Sequence, residues 1–544
     1  MTLSLVSLLA ASSVLASPGL TPAFTAPQAQ SEAQEALEIA RLAAQRADEA
    51  ARAAQTAADA ARTAAAAAHE ARQAALMLGV APAALPTGQA PVVLATGSAV
   101  PSAAGVQTAQ APAPVVLPQA APEASVLTAS LPQSMSFALK GYGRTSFGAG
   151  SEGGDQACFG LPGVSKYRFG NECDTYVELT PSLTFPVSKT GVTGAYTLTG
   201  YYYNPQPMLA GGSESGSFGI SQNYLAFTGF GGWLDGATIW GGRRLYQRHD
   251  LHVNDLFYWS NRGQGAGIEH IDTPLGKLSL ALMRNYNSTG PSIGNETNGV
   301  AGNSIDVRLS QIQTNRDGAL ELGVELRTAD TVGEAKAKDG FLLTAEHVQQ
   351  NLWGGKNTFV LQYGKGAGAN LSTNDPGAFL YTTDDTRALR VIDQFQWSPR
   401  EDVSASFNIL YEKTEDFRFN GRVLDEREWF SVGTRPVWAW SDNISSMIDV
   451  GYDVVRYGND PMGNLSGREA RMTKVTVAPL VFKLGRGFYD RPELRLFGTC
   501  ARWNGDANVV AVESGLAGGN VTNNSNYAGR RDGCSAGVQL ETWF

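Results

Sequence analysis

The sequence lacks both long apolar runs and a basic stretch, and each absence excludes a class of protein. Past its extreme N-terminus, no segment of the 544 residues reaches the roughly 18–20 consecutive apolar residues of a membrane-spanning helix. Lys and Arg number 42 against 51 Asp and Glu, which gives a net charge of −9. We therefore exclude a helical membrane protein and expect no nucleic-acid partner.

The composition instead favours β-structure after the N-terminal third. The chain has 61 glycines, 9% aromatic residues and only 17% charged residues. Connections rich in Asn, Asp, Ser and Gly separate short segments of mixed polarity. This pattern is typical of an all-β protein.

Residues 1–17 have the features of a secretory signal peptide. They are apolar, and Val14-Leu15-Ala16 fits a cleavage site of small residues. A Lys or Arg near the start, which is usual in such signals, is missing. A buried N-terminal helix is the alternative.

Residues 31–78 predict a long helix, and residues 79–134 predict a tether. Alanines recur at a 4-3 spacing from Ala33 to Ala75, with Arg and Glu between them, which favours a coiled coil. A lone Ala-rich helix is the alternative. The Pro/Ala-rich residues 79–134 repeat the element Ala-Pro-Val-Val-Leu in part and predict an extended linker.

From residue 135 the hydrophobic period changes to two. Phe137 and Leu139 alternate with polar residues, and Leu278, Leu280 and Leu282 form an aliphatic face in a later segment. The sequence ends in another alternating segment, with Phe544 last. A soluble sandwich would also alternate, but strands of about ten residues with alternately short and long connections favour an outer-membrane β-barrel over residues 135–544.

The segment from Trp240 to Trp259 predicts the constriction of such a channel. It sets charged groups such as Arg248, Asp250 and Asp255 among aromatic residues, so neither face is apolar throughout. His249 and His252 flank Asp250. Because no third ligand stands at a fixed spacing from them, we predict no metal site and no cofactor.

Several segments carry a family resemblance that covers essentially all of residues 136–544. They include GYGR (141–144), CFGLPGVSKYRFGNECDTYVEL (158–179), WGGRRLYQRHDLHVNDLFYW (240–259) and GAGIEHIDTPLGKLSLALMR (265–284). The sequence resembles the maltoporin family, including the related sucrose porins. The resemblance implies an 18-stranded antiparallel barrel in outer-membrane lipid, a homotrimer, and an N-terminal coiled coil in the periplasm.

The resemblance also implies transport of oligosaccharides along a row of aromatic side chains. The apolar face of a sugar ring stacks on such rings, while its hydroxyl groups bind charged partners. The implied stacking residues are Tyr142, Tyr176, Tyr489 and Trp543, with Trp353 at the exit. The implied polar track and constriction comprise Arg144, Arg168, Glu178, Arg248, Asp250, Asp255 and Phe257.

The sequence departs from the family pattern at several points. The segment 203–219 lacks the Trp that should reach a neighbouring subunit, and an Arg expected soon after it is absent. Tyr489 stands where the family has Trp, and Phe257 stands where it has Tyr. Maltodextrins and sucrose-like sugars therefore remain equal candidates.

Four cysteines predict two disulfides. The resemblance implies a bridge between Cys158 and Cys173 in the first long outer loop. If residues 495–503 and 533–544 form neighbouring antiparallel strands, Cys500 and Cys534 stand at matching heights and can form a second bridge. Two buried free thiols are the alternative.

Three other functions are alternatives to that of a sugar-specific porin. A non-selective diffusion porin is the nearest. A structural anchor, with the coiled coil gripping a periplasmic or cell-wall partner, is the second. An outer-membrane enzyme is the third, but the sequence offers no Ser/His/Asp set or carboxylate pair for it, so we expect no enzyme.

Overall fold

A computed structural model describes residues 135–544, except 188–190, 206–215, 289–298, 333–336, 376–377, 379–380 and 420–421. The predicted signal peptide (1–17), coiled coil (31–78) and linker (79–134) lie outside the described residues. Among the residues described, no helix is both long and apolar enough to cross a membrane.

Eighteen strands make up the described part of the chain, and each is 11 to 18 residues long. They are β1 (Ser136–Gly150), β2 (Thr175–Pro186), β3 (Thr193–Asn204), β4 (Ser217–Thr228), β5 (Thr238–Leu251), β6 (Leu256–Thr273), β7 (Gly276–Ser288), β8 (Gly299–Asn315), β9 (Gly318–Val332), β10 (Gly340–Leu352), β11 (Gly355–Gly366), β12 (Arg387–Arg400), β13 (Val403–Phe419), β14 (Arg422–Ala439), β15 (Ile444–Tyr457), β16 (Glu469–Lys483), β17 (Glu493–Trp503) and β18 (Asp532–Trp543).

The strands form one closed antiparallel barrel. Each strand pairs with the next one along the chain, and β1 pairs with both β2 and β18. In the closing pair, Tyr142 lies opposite Trp543 and Phe147 opposite Val538. Closure leaves no free sheet edge, which a barrel in lipid requires. The predicted barrel and its strand number are confirmed.

The two ends of the barrel differ in their connections. One end has tight turns, such as 274–275, 316–317 and 353–354, and the first and last strands begin and finish there. The opposite end has long loops, above all 151–174 and 504–531. We call them the short-turn end and the long-loop end. This asymmetry is typical of outer-membrane barrels, whose short turns face the periplasm.

The wall has a polar inner face and an apolar outer face. In β17, Glu493 and Arg495 point inward and are buried, while Leu494 and Leu496 between them are exposed on the outside. In β7 the exposed outer residues include Leu282. The aliphatic face predicted from the sequence is therefore the outer face, which is suited to acyl chains.

The loop 504–531 contains helix α1 (Gly505–Glu513). Asn504 caps it, because its side-chain oxygen accepts a hydrogen bond from the Ala507 amide at 3.1 Å. Farther along the loop, Tyr527 packs edge-on against Phe159 of the loop 151–174, with ring centroids 5.7 Å apart. The two longest loops thus support each other at the long-loop end.

Both predicted disulfides are present. Cys158 pairs with Cys173 inside the loop 151–174. Cys500 and Cys534 are direct register partners on β17 and β18, with Cα atoms 4.0 Å apart. The alternative of two free thiols is therefore wrong. The second bridge lies on the outer face of the wall, since Cys500 alternates with the buried Thr499 and Ala501.

Candidate conduction site

A hairpin leaves the wall and folds into the barrel. The pairing of β4 with β5 stops at Arg243, and the pairing of β6 with β7 stops at Gln264. Between these points β5 and β6 pair with each other as far as Leu251 and Leu256, apart from one bridge from Ser260 to Thr373. We call residues 244–263 the inner hairpin. It overlaps the stretch from Trp240 to Trp259 that the sequence predicts as a constriction and extends four residues beyond it.

Two glycines lie where the inner hairpin departs. Gly242 has φ +130°, and a Cβ there would lie 2.4 Å from the carbonyl oxygen of Asn223 in β4. Gly263 has φ +138°, and a Cβ there would lie 2.5 Å from the carbonyl oxygen of Arg284 in β7. Any other residue would strain the backbone and collide with a neighbouring strand. The local sequence therefore determines where the hairpin bends.

The tip of the inner hairpin is fixed to the far wall. Asn254 is fully buried; its side chain donates to Ser431 Oγ at 3.2 Å and accepts from Asn408 Nδ2 at 2.7 Å. Those partners lie on β13 and β14, far from β5 around the barrel. The Val253 carbonyl accepts a hydrogen bond from the Arg168 amide at 3.1 Å. The hairpin therefore crosses the lumen.

The flanks of the inner hairpin are also held. The Arg308 guanidinium lies 3.8 Å from the centroid of the Trp259 ring and donates to the Gln247 carbonyl at 2.8 Å. His249 Nδ1 lies 2.8 Å from a Glu346 carboxylate oxygen, which also accepts from the Tyr258 hydroxyl at 2.7 Å. His249 therefore serves the packing of the hairpin, and within the described residues no metal-ligand cluster includes it.

The loop 151–174 is the second segment that folds inward. Tyr167 packs on the backbone of Gly433, where a Cβ would lie 2.2 Å from its ring, and its hydroxyl lies 3.0 Å from Ser431 Oγ. The Phe169 carbonyl accepts a hydrogen bond from Lys474 Nζ at 2.8 Å. The loop is thereby fastened to the inner face of β14 and β16.

Arg168 connects this loop to the wall and to the hairpin. Its guanidinium donates to Glu172 at 2.6 Å and to the Tyr142 hydroxyl at 2.7 Å, and it lies 2.7 Å from the Glu541 carboxylate. It also contacts His252 Nδ1 at 3.0 Å. These contacts fix the position of Tyr142, which the sequence predicts as a stacking residue.

His252 is neutral in this setting. Burial lowers the pKa of His252 well below its usual range, and the neighbouring Arg168 guanidinium lowers it further. A neutral ring agrees with the geometry, because Nδ1 must accept the hydrogen bond that Arg168 donates.

Aromatic rings cluster on the inner side of the barrel wall. The Tyr142 ring stacks on Trp543 with centroids 6.4 Å apart and lies 6.0 Å from Tyr176. Tyr142 and Trp543 are register partners on β1 and β18, so the sheet itself sets their spacing. Tyr176 continues the series on β2. The structure thus brings together three of the predicted stacking residues.

Two further rings extend this series. Tyr201 of β3 stacks on Tyr176 at 6.1 Å, and His252 lies edge-on to Trp543 at 5.8 Å. His252 also lies 5.5 Å from Tyr489, another predicted stacking residue, which sits in the turn 484–492. The complete series, which we call the ring row, is Tyr201, Tyr176, Tyr142, Trp543, His252 and Tyr489.

The sequence prediction did not include Tyr201 or His252. A signal for Tyr201 exists in the alternation of its own segment, where Thr197, Thr199 and Tyr201 fall on one face. No local signal exists for His252, because its contact with the row depends on how the inner hairpin folds.

Trp353 is not part of the ring row. It lies at the short-turn end, is 81% exposed, and contacts Phe395 edge-on at 6.2 Å. Its carbonyl accepts a hydrogen bond from Trp397 Nε1 at 3.1 Å. Phe395 and Trp397 belong to the outer face of β12, beside the exposed Phe407. The structure therefore places Trp353 outside the barrel and not at the exit of the row.

Charged residues stand across from the rings and beside them. Arg144 donates to Glu172 at 2.7 Å and to Asp174 at 2.6 Å, and it lies 4.0 Å from Asp255 at the tip of the inner hairpin. Glu178 accepts a hydrogen bond from the Ser221 hydroxyl at 2.9 Å. The predicted polar residues on the wall are thus held by partners on neighbouring segments.

Arg248, Asp250 and Phe257 lie on the inner hairpin. The Arg248 guanidinium lies over the Phe257 ring, 4.9 Å from its centroid. Arg248 is also within electrostatic reach of Glu178, Tyr176 and Asp250. The hairpin therefore places the charged side chain of Arg248 near the part of the wall that carries Tyr176.

The whole barrel corresponds to one known family. The model of the LamB porin family matches residues 137–544. The chain belongs to the LamB porin family. Family and fold together identify an outer-membrane channel protein, and such proteins are not enzymes.

Solved structures of other bacterial porins are also similar to this porin. Pseudomonas aeruginosa OpdQ is 9% identical and has a TM-score of 0.41; the match covers 76% of this chain and 99% of OpdQ. Acinetobacter baumannii OccAB2 is 10% identical and has a TM-score of 0.42; the match covers 75% of this chain and 98% of OccAB2.

Proposed function

We propose that this porin conducts oligosaccharides by facilitated diffusion, with maltodextrins and sucrose-like sugars as the two candidate classes. The observation that carries the proposal is the ring row, which runs along one side of the lumen opposite charged groups. A general diffusion pore has no need of stacked rings inside its lumen.

The aromatic rings and the charged groups inside the barrel suit the chemistry of a sugar. The C–H face of a sugar ring is apolar and stacks on aromatic rings. Its hydroxyl groups form charge-assisted hydrogen bonds with guanidinium and carboxylate groups such as Arg248, Asp250 and Glu178. The centroids of successive rings are about 6 Å apart, so a moving sugar chain can contact the next ring before it loses contact with the previous one. Conduction requires such weak binding at many places.

Two inward segments narrow the lumen beside the rings. The inner hairpin and the loop 151–174 meet where the Arg168 amide bonds to the Val253 carbonyl. Sugars must therefore pass close to both sides, which favours a sugar-specific channel over a non-selective one. Phe257, in place of the family's Tyr, offers no hydroxyl there and bears on which sugar is preferred.

We also propose that the porin is a homotrimer whose residues 31–78 form a coiled coil in the periplasm. The first strand begins at the short-turn end, the end that faces the periplasm in such barrels. Deleting residues 18–134 tests the role of that segment. A channel keeps its sugar-dependent conductance after the deletion, whereas a protein that serves only as a tether loses its role.

Single-channel recording tests the proposed transport. We expect millimolar maltose-series or sucrose-series sugars to interrupt the ion current of the purified protein in a concentration-dependent manner. Comparing the two series identifies the preferred class. An ion current that neither series blocks would contradict the sugar-specific function and support a general diffusion porin.

A further inference from the structure

A cationic cleft lies on the outer face of the wall near the long-loop end. It has a volume of about 440 Å³ and lies where β15, β16 and β17 meet the last loop. Its charged lining residues are three arginines, Arg471, Arg502 and Arg531, and no carboxylate lines it. The Tyr452 and Thr473 side chains add hydroxyl groups to the lining.

Two of these guanidiniums have no acidic partner among the described residues. Arg471 pairs with Glu469, which also binds Arg456. Arg502 and Arg531 are exposed, and the structure gives neither of them an ion pair within its described part. Asp532 is the strand partner of Arg502, yet no ion pair joins the two side chains. The cleft therefore offers uncompensated positive charge.

The height of the cleft along the membrane normal indicates which layer of the membrane surrounds it. Below Thr473 the outer face of β16 presents Val475 and Val477, and it ends in Phe482 near the short turns. Thr473 and Phe482 are nine residues apart, which corresponds to roughly 23 Å along the membrane normal for a tilted strand. An apolar band in such barrels is about 25 Å tall and is flanked by aromatic residues. The cleft and Tyr452 thus lie at the headgroup level of the outer leaflet.

We propose that this cleft binds the anionic phosphate headgroup of an outer-leaflet lipid. Guanidinium groups bind phosphate through paired, charge-assisted hydrogen bonds, and the Tyr452 and Thr473 hydroxyls supply further donors. The lipid's acyl chains lie along the apolar strip below, which includes Leu496 of β17. The site is separate from the lumen and does not depend on the transported sugar.

Native mass spectrometry of the purified full-length protein in detergent tests this proposal. The probes are diphosphorylated lipid A, phosphatidylglycerol and, as a zwitterionic comparison, phosphatidylcholine with matched acyl chains. We expect bound lipid A and phosphatidylglycerol but little phosphatidylcholine. The double variant Arg502→Gln/Arg531→Gln should weaken binding of the anionic lipids by about tenfold, given the modest strength of exposed charge contacts.

Two further variants make the result specific. Arg284→Gln is the matched control, because Arg284 also lies on the outer face toward the long loops but already pairs with Asp330 at 2.8 Å; it should leave lipid binding unchanged. Arg502→Lys/Arg531→Lys keeps the charges and should bind more lipid than the Gln variant. Heat-resistant migration in gels verifies that each barrel is closed.

Three results would overturn the proposal. Equal lipid binding by the Gln variant and the control would show that the cleft is not the site. Inorganic phosphate that displaces lipid A at equal concentration would indicate a site for small anions only. A lower oligomeric mass of the Gln variant without loss of lipid would indicate a contact between copies of this chain.

Discussion

The inner hairpin faces the wall rings Tyr142, Tyr176 and Trp543, but the chain positions the hairpin and these rings by different means. The wall rings Tyr142 and Trp543 are register partners, so the hydrogen bonds of the sheet set their spacing. The inner hairpin leaves the sheet and depends on side-chain contacts with strands far away, such as Asn254 with Asn408. One side of the conduit is thus part of the barrel, and the other is an insertion held inside it.

This difference separates two physical roles. A stacking surface must keep its spacing over many sugar rings, and a sheet provides that. A selective constriction must set the width of the lumen and the position of charge, and a hairpin can change in sequence without disturbing the wall. The predictions below remove or adjust one side at a time.

Removing the inner hairpin should have the largest effect. Arg243 and Gln264 are register partners where the hairpin leaves the wall, so an Asn-Gly turn can join them in place of residues 244–263. We expect a closed barrel with a severalfold larger single-channel conductance and no sugar block. An unchanged conductance would mean that the hairpin does not restrict the lumen.

Removing one ring from the row should have the next largest effect. Tyr176→Ala deletes a ring that contacts both Tyr142 and Tyr201, and we expect about tenfold weaker sugar block, the equivalent of about 1.4 kcal/mol. Tyr176→Phe is the control, since it keeps the ring and removes only the hydroxyl. Titrations of current block measure both variants. If the Phe variant loses as much block as the Ala variant, stacking is not what Tyr176 contributes.

A single substitution on the inner hairpin should have a smaller effect on sugar block. Phe257→Tyr adds a hydroxyl beside Arg248, where the family pattern has Tyr. We expect a change of about twofold to threefold in sugar block, from one partly exposed hydrogen bond, and a shift in the preference between maltose-series and sucrose-series sugars. The ratio of the two block constants is the quantity to measure. An identical ratio in both proteins would place Phe257 away from the sugar.

Breaking the outer-face disulfide should have no effect on transport. Cys500→Ser/Cys534→Ser opens a bridge that spans 34 residues, and loop-closure entropy predicts a loss of stability of about 3–4 kcal/mol. We expect a lower unfolding temperature with unchanged sugar block, because both side chains point away from the lumen. Altered block in a correctly assembled variant would show that wall strain reaches the ring row.

The sequence was sufficient to predict the wall but not the interior. Period-two alternation is a local property, and it predicted which faces of the strands point inward, as the exposed outer residue Leu282 illustrates. The family resemblance supplied the strand number and the wall rings Tyr142, Tyr176 and Trp543, all of which lie on the inner face.

The rest depended on contacts between distant segments. His252 joins the ring row only because the inner hairpin crosses the lumen to Arg168, 84 residues away in sequence. Trp353 has the residue type of a stacking position, but the turn that holds it places the ring on the outer face beside Phe395. Residue type and alternation carry no information about either arrangement.

A structure of the porin with a bound oligosaccharide tests the central claim most directly. We predict sugar rings with their apolar faces against Trp543, Tyr142 and Tyr176, and hydroxyl groups directed toward Arg248 and Asp250 on the inner hairpin. Sugar bound only outside the lumen, or rings of the row that contact no sugar at saturating concentration, would contradict it.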